Sequence, residues 1–232
     1  MSDVRIWVPL DVASRDAAEG LVDRLRPHRH FKVGLEMFTA VGPDAVRAWV
    51  DAGLEIFLDL KLHDIPHTVA GAARQARSLG VRLLTVHAAG GREMLSAALE
   101  ATGGTPVVAA VTVLTSLGDD ALDRMGAPPA ALWVERLAAE AVAAGCSAVV
   151  ASGAEAAALA LRWRGLRLVV PGVRPSGSVR DDQTRVATPY DVARHGVSDL
   201  VVGRPITEAS DPVRALDSIQ KEAERGLASR SA

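Results

Sequence analysis

The segment FLDLKLHDIPHT, residues 57–68, places three charged side chains at the end of an apolar run. Asp59 and Lys61 are two residues apart, so in a β-strand they point to the same side of the sheet. Asp64 follows three residues later, shortly before Pro66. Buried charges cost free energy unless they are paired. The segment therefore predicts either a salt-bridged rim or the chemical centre of the protein.

Lys32, in the apolar run FKVGL, adds a second ammonium group to this set. If this run and residues 57–60 form neighbouring strands, Lys32 lies beside Asp59. The formal charges of Lys32, Asp59, Lys61 and Asp64 cancel, and a neutral, alternating set is the arrangement in which buried charges are tolerated. These four residues are the candidate catalytic residues.

Eight short apolar runs recur along the chain, separated by segments that begin and end like helices. The runs are residues 5–10, 31–35, 55–60, 82–87, 106–114, 147–152, 167–172 and 199–204. Their length and their content of Val, Ile and Leu are typical of strands buried on both faces of a parallel sheet. Eight strand–helix units in 232 residues predict an α/β fold, a (β/α)8 barrel.

A doubly wound open sheet is the alternative fold, but no G-x-G-x-x-G motif follows the first run, as a dinucleotide-binding sheet would need. No linker or low-complexity segment divides the chain. We therefore expect one domain over residues 1–232, with a frayed tail at 228–232.

Polar residues follow the predicted strands at their C-terminal ends, where such barrels place their active sites. Beyond the charged set, they are Asp11, Thr115, Arg174, Gly203 and Arg204. Backbone N–H groups at Gly203 and the guanidinium of Arg204 suit a phosphate group, although a Gly-Arg pair alone is more often a turn. Segment 174–189 has no apolar periodicity and is either a lid or a plain surface loop; Gln183 is its best-placed neutral polar group.

Composition and charge exclude several classes of protein. With 49% hydrophobic and 23% charged residues and a formal charge of −2, the chain fits a globular protein without a basic surface for nucleic acid or anionic membrane. The N-terminus does not resemble a signal peptide, and no apolar stretch is long enough to span a membrane. Cys146, the only cysteine, is expected in the core and suits a reducing cytoplasm. His63 and His67 do not have a zinc spacing, so no metal site is expected.

The chain resembles orotidine 5′-phosphate decarboxylases over nearly its whole length, in motifs that occur in the family's order. They are LDVA (10–13), KVGLEMF (32–38), FLDLKLHDIPHTV (57–69), VHAAGG (86–91), VTVLTS (111–116), PGVRPSG (171–177), DDQTRVATP (181–189) and VVGRPIT (201–207). The D-x-K-x-x-D motif at residues 59–64 is specific to this enzyme and a few relatives. The resemblance implies a cofactor-free homodimer that converts orotidine 5′-phosphate to uridine 5′-phosphate and CO₂, the last step of de novo pyrimidine synthesis.

By this resemblance, Lys61 is the cation beside the reacting ring carbon and the proton donor to it, and Asp59 lies where the substrate carboxylate must fit. Lys32 and Asp64 complete the charged array. Asp64, with Thr68 nearby, is implied to enter the site of the partner subunit.

The resemblance also implies how the rest of the substrate is bound. Asp11 and Lys32 hold ribose hydroxyl groups, and Thr115 contacts the pyrimidine. The phosphate is bound by a set at the other end of the site: Gln183, Gly203 and Arg204, with Arg174 beside the closing loop.

Two alternatives stay open. A Mg²⁺-dependent sugar-phosphate decarboxylase or aldolase of the same superfamily shares the D-x-K-x-x-D motif, but those relatives carry a metal-binding glutamate at the position of Lys32. A barrel without catalytic activity that acts as a binding protein is the other alternative, and the complete charged set argues against it.

Overall fold

Eight short apolar strands pair in chain order and close into an all-parallel barrel, with β8 hydrogen-bonded to β1. The computed structural model describes residues 4–176 and 187–230. The strands are β1 (Arg5–Pro9), β2 (His30–Gly34), β3 (Glu55–Leu62), β4 (Leu83–His87), β5 (Val107–Val111), β6 (Ala148–Val150), β7 (Arg167–Pro171) and β8 (Asp199–Val201). The predicted (β/α)8 barrel is confirmed, and each predicted apolar run overlaps one strand.

Helices follow the strands and surround the barrel. They are α1 (Arg15–Arg24), α2 (Leu35–Asp51), α3 (Pro66–Ser78), α4 (Arg92–Thr102), α5 (Asp119–Arg124), α6 (Ala130–Ala144), α7 (Gly153–Arg162), α8 (Pro189–Arg194), α9 (Arg204–Thr207) and α10 (Pro212–Ser229), with a 3₁₀ turn at Ala88–Gly90. The Ser14 hydroxyl accepts a hydrogen bond from the backbone N–H of Ala17 and so caps α1, as the sequence predicts. Helix α10 extends through Ser229, two residues into the segment expected to be frayed.

The hydrophobic core has two parts, one inside the barrel and one between the barrel and its helices. The inner part is formed by Trp7, Phe57, Leu83, Ala109, Ala148, Val169 and Val201. Strand β2 contributes Phe31 and Val33 to the outer part, and the residue between them is Lys32. Cys146 is buried, as predicted, and burial raises the pKa of its thiol to about 11. None of the helices in the described residues is long and apolar enough to cross a lipid bilayer.

The N-terminal end of the barrel carries ion pairs around one buried carboxylate. Asp199, the first residue of β8, is fully buried and accepts hydrogen bonds from Nε and Nη2 of Arg167 at 2.7 Å each. Arg5 Nε donates to it at 3.0 Å and Trp7 Nε1 at 2.8 Å. Burial alone would raise the pKa of Asp199, but the two arginines outweigh it and lower the pKa to about 2. The ion pairs around Asp199 therefore stabilise the fold at this end of the barrel.

The Asp199→Asn variant is expected to be less stable than the wild type at pH 7, by roughly 2 kcal/mol or more. The folded pKa of Asp199 lies below the ordinary value of 3.8, so the ionised carboxylate stabilises the fold above pH 4. That contribution is lost as the pH falls from about 4 through about 2, where the folded form is protonated too. Denaturation at several pH values should show that the difference in the free energy of unfolding between the two proteins becomes smaller in acid. The control is Asp217→Asn, which removes an exposed partner of Lys221 and should change stability little. If the stability difference between Asp199→Asn and the wild type did not depend on pH, the stabilising role of ionised Asp199 would be contradicted.

Candidate active site

An alternating chain of charged side chains lies at the C-terminal mouth of the barrel. Lys61 Nζ donates to Asp59 Oδ2 at 2.8 Å, and Lys32 Nζ lies 3.6 Å from the same oxygen. Lys32 Nζ also lies 3.3 Å from Asp11 Oδ1. Asp59 and Lys32 are buried, whereas Lys61 is half-buried and Asp11 is exposed. Two carboxylates and two ammonium groups therefore form one neutral, partly desolvated array.

A bulge in β3 shapes this array. Leu58 pairs with Leu84 and Leu62 pairs with Val86, so four steps along β3 match two steps along β4, and β3 carries two additional residues. Within this bulge Lys61 has a φ of 49°, the single positive φ at a non-glycine residue in the described chain. Bulges re-aim side chains and occur often beside active sites. Asp59 and Lys61 do meet, as the sequence predicts, but on an irregular strand.

Thr85 of β4 holds the bulge in place. Its hydroxyl accepts a hydrogen bond from the backbone N–H of Lys61 at 2.8 Å and donates one to Asp59 Oδ1 at 2.9 Å. Sequence reasoning missed this residue. The available signal was a single threonine in the apolar strand LLTVH, next in order to the strand that carries Asp59 and Lys61.

The electrostatics of the array keep Asp59 ionised. Burial favours the neutral acid and would raise the pKa of Asp59. The charges of Lys32 and Lys61 and the hydrogen bonds from Lys61 and Thr85 outweigh burial, so the pKa of this carboxyl lies below its ordinary value. Asp59 is therefore an anion at neutral pH.

Gly34 makes room for the ammonium group of Lys32. It ends β2 opposite Asp59, and a Cβ atom at this position would lie 2.8 Å from Lys32 Nζ and 3.2 Å from Asp11 Oδ1. Those distances are shorter than ordinary contacts between such atoms. A larger residue would thus displace the link between Lys32 and Asp11.

Asp64 does not join the charged array of its own chain. It is exposed on the loop after β3, its Oδ1 accepts a hydrogen bond from the backbone N–H of Ile65, and no ion pair in the described part of the chain involves it. Thr68, in the first turn of α3, is also exposed. The sequence predicted Asp64 as the fourth member of the neutral set, but within one chain Asp11 provides the second carboxylate.

The candidate substrate-binding residues lie around the same mouth. Thr115 is half-buried in the turn after β5, and Arg174 is buried after β7, where its backbone N–H bonds to the carbonyl of Ala187. Gly203 and Arg204 begin the short helix α9 directly after β8. Gln183 and most of the predicted lid, residues 177–186, lie outside the described residues.

Two histidines, His63 and His87, lie close together near the mouth. Their ring centroids are 5.3 Å apart, and the ring planes are tilted by 33°. Burial, with the nearby charges of His63 and Lys61, lowers the pKa of His87, so it is neutral at pH 7. Over residues 4–176 and 187–230, no group of three or more His, Cys, Asp or Glu side chains is placed to bind a metal ion.

Comparison with known proteins places this geometry in a family. The family model described as orotidine 5′-phosphate decarboxylase / HUMPS family matches residues 5–219. Orotidine 5′-phosphate decarboxylase of Anaeromyxobacter sp. (strain K) is 52% identical over 218 residues, which are 93% of this chain and 96% of the relative. The enzyme of the same name from Moorella thermoacetica is 50% identical over 236 residues and covers 95% and 92% of the two chains.

A solved structure agrees with these relatives. Orotidine 5′-phosphate decarboxylase from Lactobacillus acidophilus superposes with a TM-score of 0.86 at 36% identity, over 95% of this chain and 99% of that one. The chain belongs to the orotidine 5′-phosphate decarboxylase / HUMPS family.

Proposed function

We propose that this protein decarboxylates orotidine 5′-phosphate to uridine 5′-phosphate and CO₂, the last step of de novo pyrimidine synthesis, without a cofactor. The single observation that carries the proposal is the Lys61 ammonium, held 2.8 Å from an ionised, buried Asp59 at the mouth of the barrel. The relatives with about half of their residues identical bear this activity in their names.

Lys61 would perform the central step. The bond between the ring and the carboxylate breaks, CO₂ leaves, and the electron pair stays on a ring carbon that cannot delocalise it well. A fixed ammonium beside that carbon stabilises the negative charge as it develops, without solvent reorganisation. The same group then donates a proton to the carbon, forms the new C–H bond and becomes a neutral amine, which solvent reprotonates.

Asp59 and Lys32 would prepare this step. The carboxylate of Asp59 keeps Lys61 protonated and oriented, and it lies where the substrate carboxylate must fit. Lys32, 3.6 Å from Asp59 and 3.3 Å from Asp11, stabilises both carboxylates. Lys32 and Asp11 would then bind ribose hydroxyl groups, and Thr115 would contact the pyrimidine.

The phosphate group would bind at the far side of the mouth. Many barrels of this type bind phosphate with the loops after β7 and β8 and the N-terminus of a short extra helix. Helix α9, which begins at Arg204, has that position, and Arg174 lies after β7. Gln183 completes the proposed set. Contacts this far from the reacting carbon supply binding energy that can order the site and close a lid.

The active form would be a homodimer in the cytoplasm, with Asp64 and Thr68 entering the site of the partner subunit. Support comes from the exposure of both residues, Asp64 on the loop after β3 and Thr68 in the first turn of α3, and from Ile65 beside Asp64, which is 65% exposed. Leu35, the first residue of α2 and directly after β2, is 57% exposed. Exposed apolar side chains of this size suit a contact with another subunit.

Turnover is expected to be independent of metal ions. The ammonium of Lys32 lies beside Asp59, where the metal-dependent relatives would place a cation, so the array needs no further positive charge. The measurement is the ultraviolet change as orotidine 5′-phosphate is consumed, with and without EDTA. Turnover lost on chelation and restored by Mg²⁺ would favour the sugar-phosphate alternative, and no turnover in either sample would favour a binding protein.

A further inference from the structure

The bulge in β3 leaves a backbone N–H group without its regular partner in the sheet. Four steps along β3 face two along β4, so Lys61 cannot continue the regular ladder between the strands. Its φ of 49° is a conformation that residues with a Cβ adopt only at a cost in free energy. Such a backbone persists only where its surroundings hold it. The hydrogen bond from Lys61 N to Thr85 Oγ1, 2.8 Å long, supplies that restraint.

The same hydroxyl also orients the carboxylate of Asp59. Thr85 Oγ1 donates its one proton to Asp59 Oδ1 at 2.9 Å, and this leaves Oδ2 for Lys61 Nζ at 2.8 Å and Lys32 Nζ at 3.6 Å. Thr85 is fully buried, so water does not compete for either bond. The side chain of Thr85 therefore fixes both the backbone of Lys61, the proposed proton donor, and the rotation of the Asp59 carboxylate.

Packing alone does not explain a threonine at this position. Valine has nearly the same shape and is as common in strands, and the neighbours Leu84 and Val86 are apolar. Two other buried threonines, Thr102 and Thr112, use their hydroxyls only to donate to main-chain carbonyls, of Leu99 and Val150. Thr85 differs because it links the two residues of the charged array that lie closest together.

We propose that Thr85 is a positioning residue, whose hydroxyl sets the distance and direction of the Lys61 ammonium relative to Asp59. The expected effect of Thr85 on kcat rests on the proposed function, whereas its expected effect on the arrangement of Asp59 and Lys61 does not. Thr85 acts through Asp59 and Lys61 and is expected to have little effect on substrate binding elsewhere in the mouth.

The kinetic test compares Thr85→Val with Thr85→Ser. Removing the hydroxyl should lower kcat roughly 10- to 100-fold, the range for loss of a hydrogen bond to a charged group, with little change in KM. Serine keeps the hydroxyl and should retain most of kcat. The matched control is Thr102→Val, which deletes a buried hydroxyl far from the mouth and should leave kcat unchanged. Equal losses for the serine and valine variants, or a change in KM alone, would overturn the proposal.

A second measurement does not depend on turnover. The carboxyl of Asp59 can be titrated by carbon NMR in the folded wild type and in the variants. The charged and titratable residues that face this carboxyl are the same in all of these proteins: Lys32 from β2, Lys61 from β3, His87 from β4 and Asp11 after β1. Thr85→Val removes a donor to the ionised form, so the pKa of Asp59 should rise; in Thr85→Ser it should not. An unchanged titration in Thr85→Val would overturn the proposal.

These two measurements separate the possible failures. If the wild type does not turn over orotidine 5′-phosphate, the proposed function fails, while the titration still tests Thr85. If Thr85→Val does not fold, Thr85→Cys takes its place, because it keeps a similar size with a weaker donor. The cysteine variant should then show a raised pKa for Asp59 and a lower kcat, and wild-type values for both would refute the role.

Discussion

Replacing Lys61 with alanine is expected to lower kcat by roughly 10⁴-fold or more while the barrel stays folded. The substitution removes the charge that stabilises the transition state and the proton donor together, and each alone is typically worth a factor of roughly 10² to 10³ or more. The fold should survive because Lys32, 3.6 Å from Asp59, still compensates that carboxylate. Alanine keeps the Cβ atom of lysine, so the backbone cost at φ 49° is unchanged.

The measurement is single-turnover decarboxylation, with circular dichroism and binding of uridine 5′-phosphate as checks on fold and site. Arg204→Ala is the informative comparison, because it should weaken binding of the phosphate group and leave the chemical centre intact. On a substrate analogue without phosphate, Lys61→Ala should remain inactive, whereas Arg204→Ala should match the wild type. Comparable losses for the two variants on that analogue would contradict this division of roles.

The barrel was predictable because its strands are buried on both faces and separated by clear helix signals. Runs such as FLDL and RLVV are typical of strands in a covered parallel sheet, and caps such as Ser14 mark where helices begin. The continuation of α10 to Ser229 was not foreseen. It is accompanied by packing of Leu227 against the core, which local patterns do not report.

Most residues of the charged array were predictable from the sequence, but the geometry of the array was not. A spacing of two placed Asp59 and Lys61 together, yet the bulge that aims Lys61 depends on the register between β3 and β4, and register is a long-range property. For the same reason Thr85 was missed, since its role exists only through contacts across strands. Asp11 takes the place expected for Asp64 because the end of β1 lies beside β2, where Lys32 is.

The position of Asp64 leads to the second large effect. Its carboxylate is exposed and forms no ion pair in the part of the chain that the structure describes, although it belongs to the motif that carries Asp59 and Lys61. If it serves the site of the partner subunit, each active site contains Lys61 of one chain and Asp64 of the other. Mixing inactive Lys61→Ala chains with Asp64→Ala chains should then restore activity. In each hybrid dimer, one site carries both substitutions and the other carries neither.

The size of this effect follows from random exchange of subunits. About half of the dimers should be hybrids, so about a quarter of all sites should be wild type, as two-fold symmetric pairing requires. The matched control mixes Lys61→Ala with Asp59→Ala chains. Because Lys61 Nζ and Asp59 Oδ2 are 2.8 Å apart within one chain, every site in those hybrids keeps one substitution and activity should not return. If the first mixture is no more active than its parents after confirmed exchange, Asp64 serves its own chain and the shared site is refuted.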